Sequence, residues 1–89
     1  MSTTANGLAK LVEECGELQQ IAGKALVRMD RESAGPAGSL RTRLQEEMAD
    51  MLAAADFVAE TLVLDREQIG ARRLAKLHKF RERLAAEPG

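Results

Sequence analysis

The chain has 89 residues, enough for one small domain, and residues 1–89 are treated as a single domain. A chain of this size buries only about 60–65% of the surface it exposes when unfolded, so we expect self-association to compensate for marginal stability. The 13 Lys and Arg residues nearly balance the 14 Asp and Glu residues, which gives no reason to expect a nucleic-acid polymer or a membrane as partner. Cys15 is the only cysteine, which excludes an intrachain disulfide and a cysteine-based zinc site.

The start of the chain and its hydropathy pattern favour a soluble, cytoplasmic protein. The opening residues, MSTTANG, lack the basic start and the apolar run of a signal peptide. No apolar stretch approaches the roughly 20 residues that a membrane-spanning helix needs. We therefore expect no membrane partner.

Abundant Ala, Leu, Glu, Arg and Lys predict an all-α fold. The first helix is predicted over about 6–29, with Thr3 or Thr4 as candidate N-caps. The following segment, 30–38, contains a proline and two glycines and is predicted to be a loop.

The second and third helices are predicted from their caps and their breakers. Ser39 is a candidate N-cap for a helix over about 40–64. Asp65 begins the third helix, over about 66–86, with Gln68 at the spacing of a capping box. The expected architecture is a helical hairpin with the third helix packed on it, assembling into a larger helical bundle through oligomerisation.

An apolar arc on each of the first two helices predicts the surfaces that meet in the hairpin. On the first helix the arc comprises Leu8, Leu11, Val12, Cys15, Leu18, Ala22, Ala25 and Leu26. On the second helix it comprises Leu44, Met48, Met51, Leu52, Ala55, Val58, Ala59 and Leu62. Cys15 lies in the middle of its arc and is expected to be a small core residue.

Two acidic pairs border these arcs. Glu14 falls at the edge of the first arc and partly within it, with Glu17 three residues further on. Glu47 and Asp50 repeat the spacing on the second helix. Side chains three residues apart on a helix are neighbours, so each helix offers two carboxylates to one point beside the core. Partly buried carboxylates repel one another unless a cation joins them. Oxygen ligands without histidine favour Mg²⁺ or Mn²⁺, although Glu-rich helix borders are often solvated surfaces without a ligand.

The chain resembles the MazG-like all-α nucleoside triphosphate pyrophosphohydrolases in the strings LAKLVEECGELQQIAGKAL and RLQEEMADMLAAADFVAETL. The hallmark of that family is E-x-x-E on one helix and E-x-x-D on the next, positions that Glu14, Glu17, Glu47 and Asp50 occupy here. The string LDREQIGARRLAKLHKFRERL resembles the third helix of short, phage-associated members. The resemblance covers about 8–84.

The resemblance implies hydrolysis of an NTP or dNTP to the monophosphate and pyrophosphate. It implies that the four acidic residues are the catalytic and metal-binding residues, holding Mg²⁺ that activates a water molecule for attack at the α-phosphorus. Family members are typically dimers or tetramers in which helices of different chains complete the site. The competing hypothesis is a non-catalytic helical oligomerisation or regulatory module that keeps the fold.

Two further groups of residues are candidates for substrate contacts. Lys76 and Lys79 are candidate ligands of the substrate phosphates; alternatively, they form the solvated face of the third helix or complement its dipole. Phe57 and Phe80 are the only aromatic residues that could stack on a base.

Overall fold

The computed structural model describes residues 2–29 and 38–87. Within these ranges all secondary structure is helical, with α1 over Thr3–Met29, α2 over Gly38–Leu62 and α3 over Arg66–Ala86. The predicted all-α class with three helices is therefore confirmed for the described residues, whereas most of the predicted loop (30–37) lies outside them. No helix in these ranges has the length and apolar character needed to cross a bilayer.

The first two helices begin earlier than predicted. Ser2 takes the capping position expected for Thr3 or Thr4, because its hydroxyl accepts a hydrogen bond from the backbone N–H of Ala5 at 3.1 Å. The second helix begins at Gly38, so Ser39 lies inside its first turn and is not its N-cap. Both corrections shift a boundary and leave the helices themselves as predicted.

The junction between α2 and α3 is a tight turn over 63–65. The second helix ends at Leu62, two residues before the predicted limit. Val63 has a φ of 52°, and the N–H of Leu64 donates to the carbonyl oxygen of Ala59 at 3.0 Å, the pattern of a Schellman ending. Asp65 then caps α3 as predicted, accepting a hydrogen bond from the N–H of Gln68 at 3.0 Å.

The first two helices pack side by side as an antiparallel hairpin. At the end nearest the 30–37 connection, Ile21, Ala25 and Leu40 form the buried apolar cluster, with Leu44 packed against it. At the opposite end, Gly7 faces the ring of Phe57, whose carbons lie 3.4 Å from where a Cβ would stand. Three of the four buried positions of α1, Gly7, Glu14 and Ile21, recur every seven residues, and the fourth, Ala25, follows four residues later; this is the spacing of a helix–helix seam.

The seam uses only part of the predicted apolar arcs. Exposed members of the first arc are Leu8, Val12, Cys15 and Leu26. Exposed members of the second are Met48, Leu52 and Leu62. The prediction that Cys15 lies in the core is wrong, because the hairpin rotates α1 toward the side that carries Glu14 and Ile21.

The third helix is attached to the hairpin mainly at its start. The guanidinium of Arg66 donates to the backbone carbonyl of Asp56 at 3.3 Å and pairs with the Glu60 carboxylate at 3.6 Å. No residue of α3 is buried, so the expected packing of this helix on the hairpin is not found within the chain. A compact chain of this length has a radius of gyration of about 12 Å, whereas this one measures 15.9 Å.

Candidate metal centre

Three of the four predicted acidic residues meet in the middle of the hairpin. Each of Glu14, Glu47 and Asp50 offers a carboxylate oxygen, and these oxygens lie within 4.8 Å of one another. Glu14 is only 8% exposed, and the Glu47 side chain is 14% exposed. Glu14, expected at the edge of the first arc and partly within it, is therefore buried in the seam, where it continues the seven-residue repeat between Gly7 and Ile21.

The two glutamates are incompletely paired. One oxygen of Glu14 lies 3.6 Å from the ammonium of Lys10, and one oxygen of Glu47 lies 3.8 Å from the guanidinium of Arg43. The other oxygen of each glutamate, Oε2, is buried and has no hydrogen-bond partner. A buried charged oxygen without a partner is costly, so this pair is the feature of the hairpin that most needs a ligand.

The remaining member of the predicted quartet, Glu17, lies beside the cluster. It is exposed, and the neighbouring Glu47 carboxylate, with which it can share a proton, raises the pKa of Glu17 above its usual range. Repulsion from Glu47 acts in the same direction. The pKa rises because crowding of carboxylates disfavours the ionised form of each.

An open pocket of ≈ 290 Å³ adjoins the cluster. It is lined by Lys10 and Glu14 of α1 and by Asp50, Ala53, Ala54 and Phe57 of α2. Phe57 is 41% exposed. The pocket thus brings two acidic residues, one lysine and one phenylalanine together on the same side of the hairpin.

Two basic residues of the site were not identified from the sequence. Lys10 and Arg43 each stand four residues before a buried glutamate, at Glu14 and Glu47. Side chains four apart on a helix are neighbours, so the repeated spacing was a usable indication of both pairs.

The lysines predicted to contact phosphate lie elsewhere. Lys76 and Lys79 are exposed on α3, and neither lines the pocket beside the acidic cluster. The ammonium of Lys76 instead lies 5.9 Å from the centroid of the Phe80 ring, within cation–π range. Phosphate contact by these lysines stays a prediction.

Comparisons with protein-family models, with curated proteins and with solved structures found no match for this chain. The MazG-like resemblance therefore rests on the motif residues themselves.

Proposed function

We propose that this protein is a Mg²⁺-dependent nucleoside triphosphate pyrophosphohydrolase of the MazG-like class, acting on NTP or dNTP to give the monophosphate and pyrophosphate. The observation that carries the proposal is that buried Glu14 and half-buried Glu47 each have an unpartnered buried oxygen, Oε2, in a cluster with Asp50. Desolvated carboxylates destabilise a purely structural seam, whereas a metal ion bound between them would offset that cost.

The donor set suits a hard divalent cation. Glu14, Glu47 and Asp50 would hold it, with Glu17 close enough to join them or to orient Glu47. All donors are carboxylate oxygens, which favours Mg²⁺, with Mn²⁺ as an alternative. When bound, the ion would supply Lewis-acid polarisation of phosphate oxygens and a lowered pKa for water.

The pocket beside the cluster suits the rest of a nucleotide. The Lys10 ammonium stands at the edge of the acidic group, where it can contact a phosphate oxygen. The Phe57 ring offers a surface on which a base can stack. No serine, cysteine or histidine is among the residues lining this pocket, so direct attack of water at the α-phosphorus is the simplest route.

The reaction is tested by a panel of nucleoside triphosphates incubated with the protein and Mg²⁺ or Mn²⁺, with products separated by chromatography. The expected products are a nucleoside monophosphate and pyrophosphate. A diphosphate with orthophosphate would show cleavage at the γ-position and overturn the assignment.

A matched pair of variants links the activity to the site. Glu47→Gln removes one charge at nearly constant shape and should lower kcat/KM by about 100-fold or more, because a metal ligand contributes several kcal/mol. Glu46→Gln removes the same charge from an exposed neighbour and should leave kcat/KM within about twofold. If wild-type protein turns over no nucleotide in the panel, the non-catalytic module becomes the better hypothesis.

A further inference from the structure

The two glutamates at the centre of the candidate metal site are held in the same way. A basic residue four positions earlier pairs with each of them. The Lys10 ammonium lies 3.6 Å from Oε1 of Glu14, and the Arg43 guanidinium lies 3.8 Å from Oε1 of Glu47. In both glutamates the other oxygen, Oε2, is buried without a hydrogen-bond partner. Each carboxylate therefore has one oxygen beside a cation and one oxygen free.

The antiparallel course of the hairpin puts the two cations at opposite ends of the acidic cluster. Toward the start of α1 lies the end where Gly7 meets Phe57, whereas toward the start of α2 lies the 30–37 connection. Four residues correspond to about 6 Å along each helix. The cations therefore attract the Oε1 atoms of Glu14 and Glu47 in opposite directions. Because a carboxylate is planar, each Oε2 is then turned toward the seam, which agrees with its burial.

Stabilisation of the helices is a weak reason for either ion pair. Pairs of charged side chains four positions apart stabilise a helix more when the acidic residue comes first. In both pairs here the basic residue comes first. The side chains of Lys10 and Arg43 are 56% exposed, and ion pairs with a solvated partner contribute little. Placement of the glutamate oxygens explains the repeated arrangement better.

Contact with a phosphate group accounts for only one of the two cations. Lys10 lines the pocket beside the acidic cluster, whereas Arg43 is not among the described residues that line it. A role that Lys10 and Arg43 share must therefore act through the glutamates with which they pair.

A metal ligand binds best when its free oxygen is already directed at the ion. A partner on the other atom of the ligand holds the side chain in one orientation, and removing such a partner typically lowers metal affinity by about 10–100-fold. Each cation also repels a metal ion. Solvent and salt screen that repulsion, because Lys10 and Arg43 are exposed, whereas the orienting effect acts through direct contact. We therefore expect the orienting effect to be the larger.

We propose that Lys10 and Arg43 are positioning residues of the metal site. Each attracts Oε1 of the glutamate four positions further on and thereby directs Oε2 at the ion. These roles rest on the proposed function, because they require a metal ion between the glutamates. The metal affinity then depends on two cations that are not themselves ligands.

Titration with Mn²⁺ in the absence of nucleotide, followed by electron paramagnetic resonance, tests these roles. The signal of free Mn²⁺ is lost on binding, so the titration gives a Kd that involves neither turnover nor phosphate contact. Lys10→Met and Arg43→Met remove the charge but keep an aliphatic side chain, and each should raise the Kd by about tenfold or more. Lys10→Arg and Arg43→Lys should stay within about threefold of wild type, since a single ion pair requires only a positive charge at that point.

A matched control separates local contact from overall charge. Arg41→Met removes the same charge from an exposed residue of α2, four positions before the uncharged Gln45, and should leave the Kd within about twofold. Circular dichroism should show the same helix content in every variant, because all the substituted side chains are exposed.

The outcomes distinguish the positioning roles from the proposed reaction. An unchanged or lower Kd in Lys10→Met and Arg43→Met would overturn the positioning roles, as would an equal rise in Arg41→Met. If the Kd rises as expected in a protein that hydrolyses no nucleotide, the positioning roles are supported and only the proposed reaction fails. A wild-type protein that binds no Mn²⁺ would overturn both.

Discussion

Replacing Glu14 by glutamine tests whether the hairpin is built to hold a cation. Glu14 is 8% exposed, one of its oxygens has no hydrogen-bond partner, and oxygens of Glu47 and Asp50 lie within 4.8 Å. In protein stripped of divalent metal, the charge of Glu14 is therefore a source of repulsion. The amide has nearly the same shape and removes that charge.

The expected gain follows from the distance. Two negative charges 4.8 Å apart repel by about 3.5 kcal/mol at an effective dielectric constant of about 20. Part of this gain is lost, because the buried amide needs hydrogen-bond partners of its own, at about 1–3 kcal/mol. The attraction to the Lys10 ammonium, 3.6 Å away, is lost as well, at about 0.2–1 kcal/mol. We expect Glu14→Gln to raise the free energy of unfolding by about 1 kcal/mol without metal, which corresponds to about 4–8 °C in Tm.

Thermal unfolding followed by circular dichroism, at one fixed protein concentration, measures the effect in EDTA and in Mg²⁺. Mg²⁺ at about 100 times its dissociation constant should stabilise the wild type by about 2.7 kcal/mol and the variant by much less, so that the order of the two proteins reverses. Glu13→Gln changes an exposed neighbour and should stay within about 0.5 kcal/mol of wild type in both buffers.

One result would refute this reasoning directly. If Glu14→Gln lowers Tm equally in EDTA and in Mg²⁺, Glu14 stabilises the seam by packing, and the metal site loses its central ligand.

Three further predictions concern the pocket and the α2–α3 junction. Phe57→Leu keeps an apolar contact but removes the stacking ring, so steady-state kinetics should show KM for the nucleotide raised about tenfold at similar kcat; an unchanged KM would place the base elsewhere. Val63→Gly should raise the free energy of unfolding in urea by about 1 kcal/mol, because Val63 is 87% exposed and has a φ of 52°. By contrast, Val27→Gly in α1 should lower the free energy of unfolding by about 0.3–0.5 kcal/mol, the difference in helix propensity between valine and glycine. A lower free energy of unfolding for both glycine variants would show that the backbone at Val63 is not strained. Asp65→Ala removes the cap of α3 and should speed amide hydrogen exchange at Gln68 about fivefold; unchanged exchange would mean that the cap contributes nothing.

Local features of the chain were predictable because they depend on neighbours in sequence. The limits of α3 (66–86) and its Asp65 cap match the structure, since capping and helix propensity act within a few residues. The meeting of Glu14 with Glu47 and Asp50 was also expected from their spacing. Side chains three residues apart project from the same side of a helix. Two helices that pack side by side in a hairpin therefore bring their acidic pairs close together.

The choice of seam was not predictable from either helix alone. The apolar residues of α1 extend around a broad arc, and more than one side of that arc could have faced α2. The structure buries the side with Gly7, Glu14 and Ile21 and exposes Cys15, and at Gly7 this seam places α1 against the Phe57 ring. That contact joins residues fifty positions apart, so only the tertiary structure decides it.

The same choice of seam buries the candidate site and leaves other apolar side chains of α1 exposed. The sequence by itself determined the three helices, the distribution of polar and apolar residues around each helix, and the spacing of the acidic residues. The rotation of α1 against α2, decided by packing between distant residues, placed Glu14, which was expected only partly within the apolar arc, in the buried seam. It also left Leu8 and Val12 exposed. When one side of a broad apolar arc packs against the neighbouring helix, the other side of the arc faces away from it.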